Sequence, residues 1–267
     1  MSAPTEPMVR MQGVSLCYRL AKQQAQSLKE YAIHWMKGGL RYEDFWALRD
    51  VSFEVGRGES VGIVGRNGAG KSTLLKVLCR VLEPTRGTTA LNGWVAPILA
   101  LGAGFDHDLT GIENVYLNAL LLGRTRREID AKLDHIHAFS GLGDLIRSPL
   151  RSYSAGMIAR LGFSVATAWR ADILVLDEVL GVGDAAFVKR CQARIQELRG
   201  AGATVLLVSH SPAEILANCD RCLWLDGGRL VADGAPREIL DRYAAAPATG
   251  PVAAEVEVDA DLRERAP

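Results

Sequence analysis

The chain has 267 residues, enough for one large or two small domains with a substantial core. Apolar residues make up 48% of the chain and charged residues 23%, as in an ordinary globular α/β protein, and the formal net charge of zero gives no field favouring nucleic acid. No stretch reaches the roughly 18 consecutive apolar residues of a membrane span, and no apolar region near residue 1 indicates a secretory signal.

Strand and helix patterns alternate along most of the chain, which predicts an α/β fold with a parallel sheet and helices on both faces. The predicted elements are strands at 8–18, 46–64 and about 88–99, a helix from Lys71 to Leu82, two helical segments between 112 and 143, a helix from Ala155 to Arg170, the buried strand ADILVLDE, a helix at 184–200, the strand TVLLVSH, a helix at 212–218 and the strand CLWLDGG.

Two segments fall outside this alternation. Residues 19–45 form a polar, helix-prone insert that carries several aromatic residues, and residues 246–267 are Ala/Pro-rich and then acidic, which predicts a flexible tail or linker. The insert is either a solvated excursion or a contact with a membrane partner or lipid headgroups. In the second case, replacing Trp35 and Trp46 with Ala should impair that contact and leave catalysis intact.

The segment GRNGAGKS, residues 65–72, fits the pattern G-x-x-x-x-G-K-[ST] between a predicted strand and a predicted helix. Its glycines let backbone N–H groups converge on a phosphate, and the helix N-terminus adds partial positive charge. Lys71 is expected between the β- and γ-phosphates, and the Ser72 hydroxyl on Mg²⁺. The predicted nucleotide-binding residues of this segment are Gly65, Arg66, Asn67, Gly68, Ala69, Gly70, Lys71, Ser72 and Thr73.

Two carboxylates follow the apolar run ILVL, at the edge of the sheet where ligands bind in open α/β folds. Asp177 suits the Mg²⁺ shell, and Glu178 is placed to polarise the water that attacks the γ-phosphate, a general-base role contributing about 10²- to 10⁴-fold. These residues together predict a P-loop nucleotidase that uses a nucleoside triphosphate and Mg²⁺.

The triplet Ser154-Ala155-Gly156 opens a predicted helix, where a hydroxyl and backbone donors can meet a second anion. Residues 65–72 already hold one phosphate group. A second anion site is useful if it closes over a phosphate that another subunit holds.

With these motifs, the sequence resembles the ATP-binding cassette (ABC) family over roughly residues 8–243. The family signature Ser-Gly-Gly-Gln is here Ser154-Ala155-Gly156-Met157, so its first and third positions match. The resemblance implies a P-loop core with an N-terminal antiparallel β subdomain and a helical subdomain at about 100–165, all within a cassette domain at 1–245.

The same resemblance assigns further roles. Asp184 corresponds to a dimer-contact aspartate, His210 to the switch histidine that contacts the γ-phosphate, and Tyr18 to an aromatic residue that stacks on adenine. The glutamine that the family places between nucleotide and membrane partner has no counterpart here, because LALGAGFDHDLTGIENV occupies that region.

The LGAGF loop, the SAGM signature, the run DEVLGVGDAAF and the insert ending in FWALRDVSFEV resemble the ATPase subunits of exporters for O-antigen, capsule and teichoic-acid polysaccharides. This implies an ATPase that forms a head-to-tail dimer with a second copy of itself, works with a separate transmembrane permease, and lies peripherally on the cytoplasmic face of the bacterial inner membrane. Nucleic acid is not an expected partner.

Other functions remain open at this point. An importer motor of the same family, and a non-transport cassette ATPase acting on DNA or ribosomes, share the nucleotide motifs. The non-transport ATPase lacks support, because the interval of about a hundred residues between the phosphate loop and the carboxylates Asp177 and Glu178 contains no heptads of a long coiled coil, and there is one cassette in the chain. A P-loop kinase or GTPase would need an acceptor site or an NKxD motif, and neither occurs.

The five cysteines are scattered and suit a reducing compartment. Cys219 and Cys222 form a CxxC motif, but no second pair lies at metal-ligand spacing and the motif runs into an apolar strand. We therefore expect both thiols to pack in the core, with a metal or redox role as the alternative.

Overall fold

The computed structural model describes residues 6–21, 42–99, 101–177 and 184–246. In chain order the elements are β1 Val9–Ala21, β2 Tyr42–Val55, β3 Ser60–Val64, α1 Lys71–Leu78, β4 Arg86–Leu91, β5 Val95–Ile98, α2 Gly111–Leu121, α3 Arg126–Asp130, α4 Leu133–Ser140, α5 Ala155–Ala166, β6 Ile173–Asp177, α6 Ala185–Gly200, β7 Thr204–Val208, α7 Pro212–Asn218, β8 Arg221–Asp226, β9 Arg229–Gly234 and α8 Pro236–Ala245, with short 3₁₀ turns at Gly143–Arg147 and Leu150–Ser152.

These strands form two sheets. The smaller sheet is antiparallel, with the order β2-β1-β4, and the larger has the order β5-β6-β7-β3-β8-β9. Strands β5, β6, β7, β3 and β8 run parallel, and β9 pairs antiparallel with β8 at one edge. The predicted parallel α/β sheet and N-terminal antiparallel subdomain are therefore confirmed.

The central strands are continuous apolar runs in the sequence because they are buried on both faces of the sheet. Every residue of β3 and β7 is buried, because both faces of the large sheet are covered. One buried cluster joins α1 and the antiparallel sheet to one face. A second cluster places α5, α6, α7 and α8 against the other face. Helices therefore cover both faces, as predicted.

Helices α2 to α5 share a third buried cluster that includes Val115, Ile136 and Leu161. Helices α2 and α3 each begin at a capping box, Thr110 with Glu113 and Thr125 with Glu128, in which the threonine side chain and the glutamate side chain bond reciprocally to backbone N–H groups. These local signals fix where each helix starts, and the third cluster packs the four helices into one unit.

The bounds predicted for the insert, 19–45, are wrong at both ends. Strand β1 continues to Ala21 and β2 already begins at Tyr42, with Arg19 opposite Asp44 and Tyr18 opposite Phe45. The residues of the insert between Ala21 and Tyr42 lie outside the described part of the chain. The sequence did not indicate these strand ends, because charged residues such as Arg19, Glu43 and Asp44 weaken the alternation that marks a strand.

Three other differences follow from weak sequence signals. The strand expected near 88–99 is two strands, since β4 joins the antiparallel sheet and β5 the parallel one. Helices α1 and α5 stop several residues earlier than predicted, at Leu78 and Ala166. Strand β9 and helix α8 were not predicted, because β9 alternates between exposed and half-buried residues and forms the outermost strand.

Within the described part of the chain, no helix is both long enough and apolar enough to cross a lipid bilayer.

Candidate functional site

The loop between β3 and α1 is shaped by glycines. Gly68 and Gly70 have φ of 81° and 102°, a left-handed conformation that disfavours other residues. A Cβ atom on Gly70 would lie 2.6 Å from the Ala47 carbonyl oxygen, so a side chain there cannot be accommodated. A Cβ on Gly68 would meet nothing within 4 Å, because this part of the loop borders open space. The open space beside the loop is the expected place for phosphate.

Lys71, the first residue of α1, holds this loop together. Its side chain is 7% exposed, and its Nζ donates hydrogen bonds to the carbonyl oxygens of Gly65 at 2.6 Å and Arg66 at 3.0 Å. These two bonds orient the ammonium group along the loop. A charge fixed in this way is pre-positioned for an anion and needs little rearrangement when one binds.

A cavity of about 530 Å³ gathers the predicted residues from distant parts of the sequence. Asp177 at the end of β6 and His210 two residues after β7 border it together with the phosphate loop. They meet because β6, β7 and β3 are adjacent parallel strands, whose carboxyl ends lie along one edge of the sheet. The residues lining it are Phe45, Ala47, Arg66, Asn67, Gly68, Gly70, Lys71, Ser72, Thr73, Asp177 and His210.

The oxygen atoms of this cavity fit Mg²⁺. The Ser72 hydroxyl in the first turn of α1 and the Asp177 carboxylate border the same space. Mg²⁺ is bound in nucleotide sites through one or two such protein oxygens, completed by water and phosphate oxygens. No cluster of three or more His, Cys, Asp or Glu side chains able to hold a metal occurs among the described residues.

The predicted second anion site lies apart from this cavity. Ser154 is the N-cap of α5, where its Oγ accepts a hydrogen bond from the Met157 N–H at 3.3 Å, and Ala155 and Gly156 form the first turn. Helix α5 packs on the α2–α4 helices and on β5. Strand β5 is three strands from β3 in the sheet, or about 14 Å. None of the three signature residues borders the described cavity.

Asp184 is tied to the signature helix of its own chain. It is the N-cap of α6, with Oδ1 accepting the Phe187 N–H at 2.8 Å, and its carboxylate is paired with Arg160 of α5. The hydrogen bond from Phe187 and the nearby Arg160 charge hold the pKa of Asp184 below its usual range. Arg160 also stacks on the Phe187 ring at 5.3 Å. A role for Asp184 in dimer contact stays a prediction.

Two aromatic residues lie near the phosphate loop on the antiparallel sheet. Tyr18 and Phe45 both pack against the same core cluster, and of the two Phe45 lines the cavity. The two are directly opposite in the β1–β2 pair, so they share one face of the sheet. The stacking of Tyr18 on adenine stays a prediction, and Phe45 is a second aromatic residue that borders the cavity. Glu178, the predicted general base, lies outside the described residues.

Comparison with protein families matches residues 48–181, half of the chain, to the family described as "ABC transporter". The chain belongs to this family. The match spans the phosphate loop, the signature triplet and Asp177, and it agrees with the resemblance inferred from those motifs. The chain is an ABC ATPase subunit, with the cassette fold described above.

Two relatives and one solved structure illustrate the similarity. The O-antigen export system ATP-binding protein RfbB of Klebsiella pneumoniae is 42% identical over 239 residues, covering 89% of this chain and 97% of RfbB. The teichoic acids export ATP-binding protein TagH of Lactococcus lactis is 46% identical over 201 residues, covering 75% of this chain and 43% of TagH. The structure of an ATP binding subunit of an ABC transporter superposes with a TM-score of 0.68 at 25% identity, over 91% of this chain and 95% of that one.

Sequence reasoning missed two residues that border the cavity, Phe45 and Ala47, and a third, Arg160, that pairs with Asp184 outside it. Phe45 and Ala47 are two residues apart on β2, and this strand periodicity places both on the face toward the phosphate loop. The alternation in FWALRDV was the available signal. Arg160 had no such signal, because its contact with Asp184 joins two helices that are distant in sequence.

The CxxC pair of the cassette is packed as expected. Cys222 is fully buried and Cys219 packs against the same cluster, and both thiols are free. Burial raises the pKa of each to about 12.

At pH 8 a thiol whose pKa is about 12 is about a thousandfold less ionised than one at the ordinary value of 9. We therefore expect Cys219 and Cys222 to be alkylated at least a hundredfold more slowly than a small thiol, with full reactivity after unfolding. Iodoacetamide labelling followed by peptide mass spectrometry measures this. Rapid labelling of either cysteine in the folded protein would contradict the packing.

Proposed function

We propose that this cassette hydrolyses ATP in a head-to-tail dimer and thereby powers the export of a lipid-linked polysaccharide through a separate transmembrane permease. The observation that carries the catalytic part is the convergence of the phosphate loop, Asp177 and His210 on one cavity of about 530 Å³. The polysaccharide is inferred from the relatives, whose names assign them to O-antigen and teichoic acid export.

The separation of two anion-binding elements supports the dimer. The phosphate loop follows β3, whereas the Ser154 helix cap lies over β5, so one chain cannot bring them to the same phosphate without a large movement. A second copy rotated by 180° would place its Ser154 opposite the first copy's phosphate loop. Two-fold symmetry then completes two equal sites, since each chain contributes its phosphate loop to one site and its Ser154 helix cap to the other.

Each residue has a chemical role in this arrangement. Lys71 and the loop N–H groups stabilise charge on the transferring phosphoryl group, and His210 contacts the γ-phosphate from the neighbouring strand. Bound Mg²⁺, on Ser72 and Asp177, would neutralise charge on the β- and γ-phosphates. Glu178, which follows Asp177 in the sequence, would accept a proton from the attacking water.

ATP holds such a dimer closed because donors from both chains contact one triphosphate. Hydrolysis removes the bridging phosphate, so the two chains separate, and the movement is transmitted to the permease. The cassette itself would lie on the cytoplasmic face of the inner membrane, held there through the permease.

Replacing Glu178 with Gln tests the catalytic cycle. The amide keeps the shape of the side chain but cannot take a proton, so hydrolysis should stop and ATP should stay bound. We expect Glu178→Gln to form a stable dimer at saturating ATP and Mg²⁺, and a monomer with ADP, as measured by sedimentation velocity.

The matched control is Glu197→Gln, which makes the same change on an exposed side chain of α6 that pairs with Arg194. This control should behave as the wild type. A Glu178→Gln protein that stays monomeric at saturating ATP–Mg²⁺ would contradict the sandwich.

The proposed contact of the insert with membrane or permease needs one correction. Trp46 is 9% exposed and stacks beneath Arg86 at 5.3 Å, so it packs within the fold rather than facing a partner. Replacing Trp46 would leave a cavity and lower stability, which makes the Trp35 and Trp46 double substitution an unsuitable test. Trp35 lies outside the described residues.

A further inference from the structure

The N-terminal ends of α5 and α6 are joined by one ion pair, and neither of its members lines the nucleotide cavity. Asp184 is the N-cap of α6, and its two carboxylate oxygens have different partners. Oδ1 accepts the Phe187 N–H of the same helix at 2.8 Å, and Oδ2 accepts a hydrogen bond from the Arg160 guanidinium of α5. The carboxylate cannot turn without losing one of these bonds, so Arg160 fixes where Asp184 points.

An apolar contact beneath this pair already holds the two helices together. Phe163 of α5 and Phe187 of α6 are buried, and their rings meet edge to face with centroids 6.1 Å apart. Phe139 of α4 contacts both rings. The side chains of Arg160 and Asp184 are 22% and 54% exposed, and an ion pair in such a setting adds little to stability. The pair is therefore better explained by the position it gives to Asp184 than by the stability of the fold.

Asp184 also ends the segment of chain that carries the proposed general base. Strand β6 ends at Asp177, which lines the nucleotide cavity, and Glu178 is the next residue. The six residues 178–183 connect Asp177 to Asp184. One end of this connection is held by the pairing of β6 with β7 and the other by Arg160. The position of Asp184 matters for catalysis because misplacing a catalytic group by about 1 Å can cost about 10²-fold in rate.

The other member of the pair lies on the helix that carries the signature triplet. Arg160 is six residues after Ser154, which corresponds to about 9 Å along α5. Ser154 is exposed at the beginning of this helix, where the proposed dimer brings it to the nucleotide of the partner chain. A displacement of the helix at Ser154 also displaces Arg160, and the ion pair transmits it to Asp184.

We propose that Arg160 is a positioning residue for ATP hydrolysis, which places Asp184, and with it the end of the segment that carries Glu178, according to the position of the signature helix. This inference rests on the proposed head-to-tail dimer. The Ser154 cap of each chain then contacts the γ-phosphate that the partner holds, whereas Glu178 serves the nucleotide of its own chain. Arg160 therefore links one nucleotide site to the general base of the other.

Steady-state kinetics of Arg160→Gln tests this role. Glutamine remains polar but carries no charge to hold Asp184. We expect kcat for ATP hydrolysis to fall about tenfold or more and KM for ATP to stay within about twofold, because the phosphate loop that binds the nucleotide is unchanged. Arg160→Lys keeps the charge and should restore most of kcat. Thermal unfolding of both variants should match that of the wild type, since the three rings still pack.

Asp184→Asn separates the ion pair from the helix cap. Asparagine still accepts the Phe187 N–H as an N-cap, but it lacks the charge that holds Arg160. We expect kcat of Asp184→Asn to fall by a similar factor. The Arg160→Gln/Asp184→Asn double variant should be no slower than either single variant, because all three remove the same interaction. The control is Arg190→Gln, which removes an exposed guanidinium 5.2 Å from the same Phe187 ring and should keep the wild-type kcat.

A wild-type kcat in Arg160→Gln, an effect confined to KM, or effects of the two substitutions that multiply would overturn this inference. Loss of activity that accompanies a lower unfolding temperature would assign Arg160 a structural role and would also overturn it. The dimer is tested separately by Glu178→Gln, which retains Arg160. If Glu178→Gln dimerises with ATP while Arg160→Gln hydrolyses ATP normally, the positioning role alone fails, whereas a monomeric Glu178→Gln contradicts the proposed function itself.

Discussion

Replacing Lys71 with Met should reduce ATP hydrolysis by about 10²-fold or more, because the variant loses the buried ammonium charge that is held against the phosphate loop. The ammonium group is buried and held by the carbonyl oxygens of Gly65 and Arg66, and it borders the cavity that Asp177 and His210 also line. Methionine preserves the length and apolar stem of the side chain, so α1 should remain packed.

Lys76→Met provides the matched control, since Lys76 is exposed on the same helix and does not border the cavity. Steady-state ATPase assays and nucleotide-binding titrations of both variants measure the difference, and thermal unfolding shows whether the fold is kept. A Lys71→Met protein that hydrolyses ATP at the wild-type rate would rule out the cavity as the catalytic site.

Replacing Gly156 with Asp should reduce ATP hydrolysis by a similar factor without weakening the fold. Gly156 lies in the first turn of α5, where the partial positive charge of the helix N-terminus stabilises a carboxylate, so the stability of the fold should be kept or improved. In the proposed dimer this carboxylate would face the γ-phosphate, where like charges about 4 Å apart repel by about 4 kcal/mol near a protein surface. Gly156→Asn, of nearly the same size and without charge, should lose far less activity.

Mixing the two inactive variants shows whether each nucleotide site is completed by the partner chain or by the same chain. A dimer of one Lys71→Met chain and one Gly156→Asp chain contains one site with an intact phosphate loop and an intact signature helix. ATPase activity of the mixture should therefore exceed the sum of the separate activities. A mixture that shows no excess, at concentrations where the wild type dimerises, would contradict the head-to-tail arrangement.

The parts of the site that follow a strand directly were predictable from sequence. The phosphate loop, Asp177 and His210 each lie at the end of an apolar strand or within two residues after it, and parallel strands bring such positions to one edge. The N-cap at Ser154 was also predictable, because a small polar residue before an amphipathic run is a local signal. These features depend on a few neighbouring residues.

Features that depend on pairing between distant segments were not predictable in the same way. The position of Phe45 at the cavity depends on how β1 and β2 pair, and this pairing could not be predicted across the long insert between the two strands. Trp46 is covered in part by Arg86 of β4, and Asp184 pairs with Arg160 of another helix, so both contacts join segments that are distant in sequence. Strand β9 shows a weak pattern because its residues alternate only between exposed and half-buried and it is the outermost strand of its sheet.

In the proposed dimer, one bound triphosphate is contacted by the phosphate loop of one chain and the α5 cap of another. The crystal structure of the Glu178→Gln protein with ATP and Mg²⁺ measures this most directly, through the distance from Ser154 Oγ to the nearest γ-phosphate oxygen. We predict a hydrogen-bond distance, about 2.7 Å, to the nucleotide held by residues 65–72 of the partner chain. A closed assembly in which Ser154 points away from every terminal phosphoryl group would contradict the account.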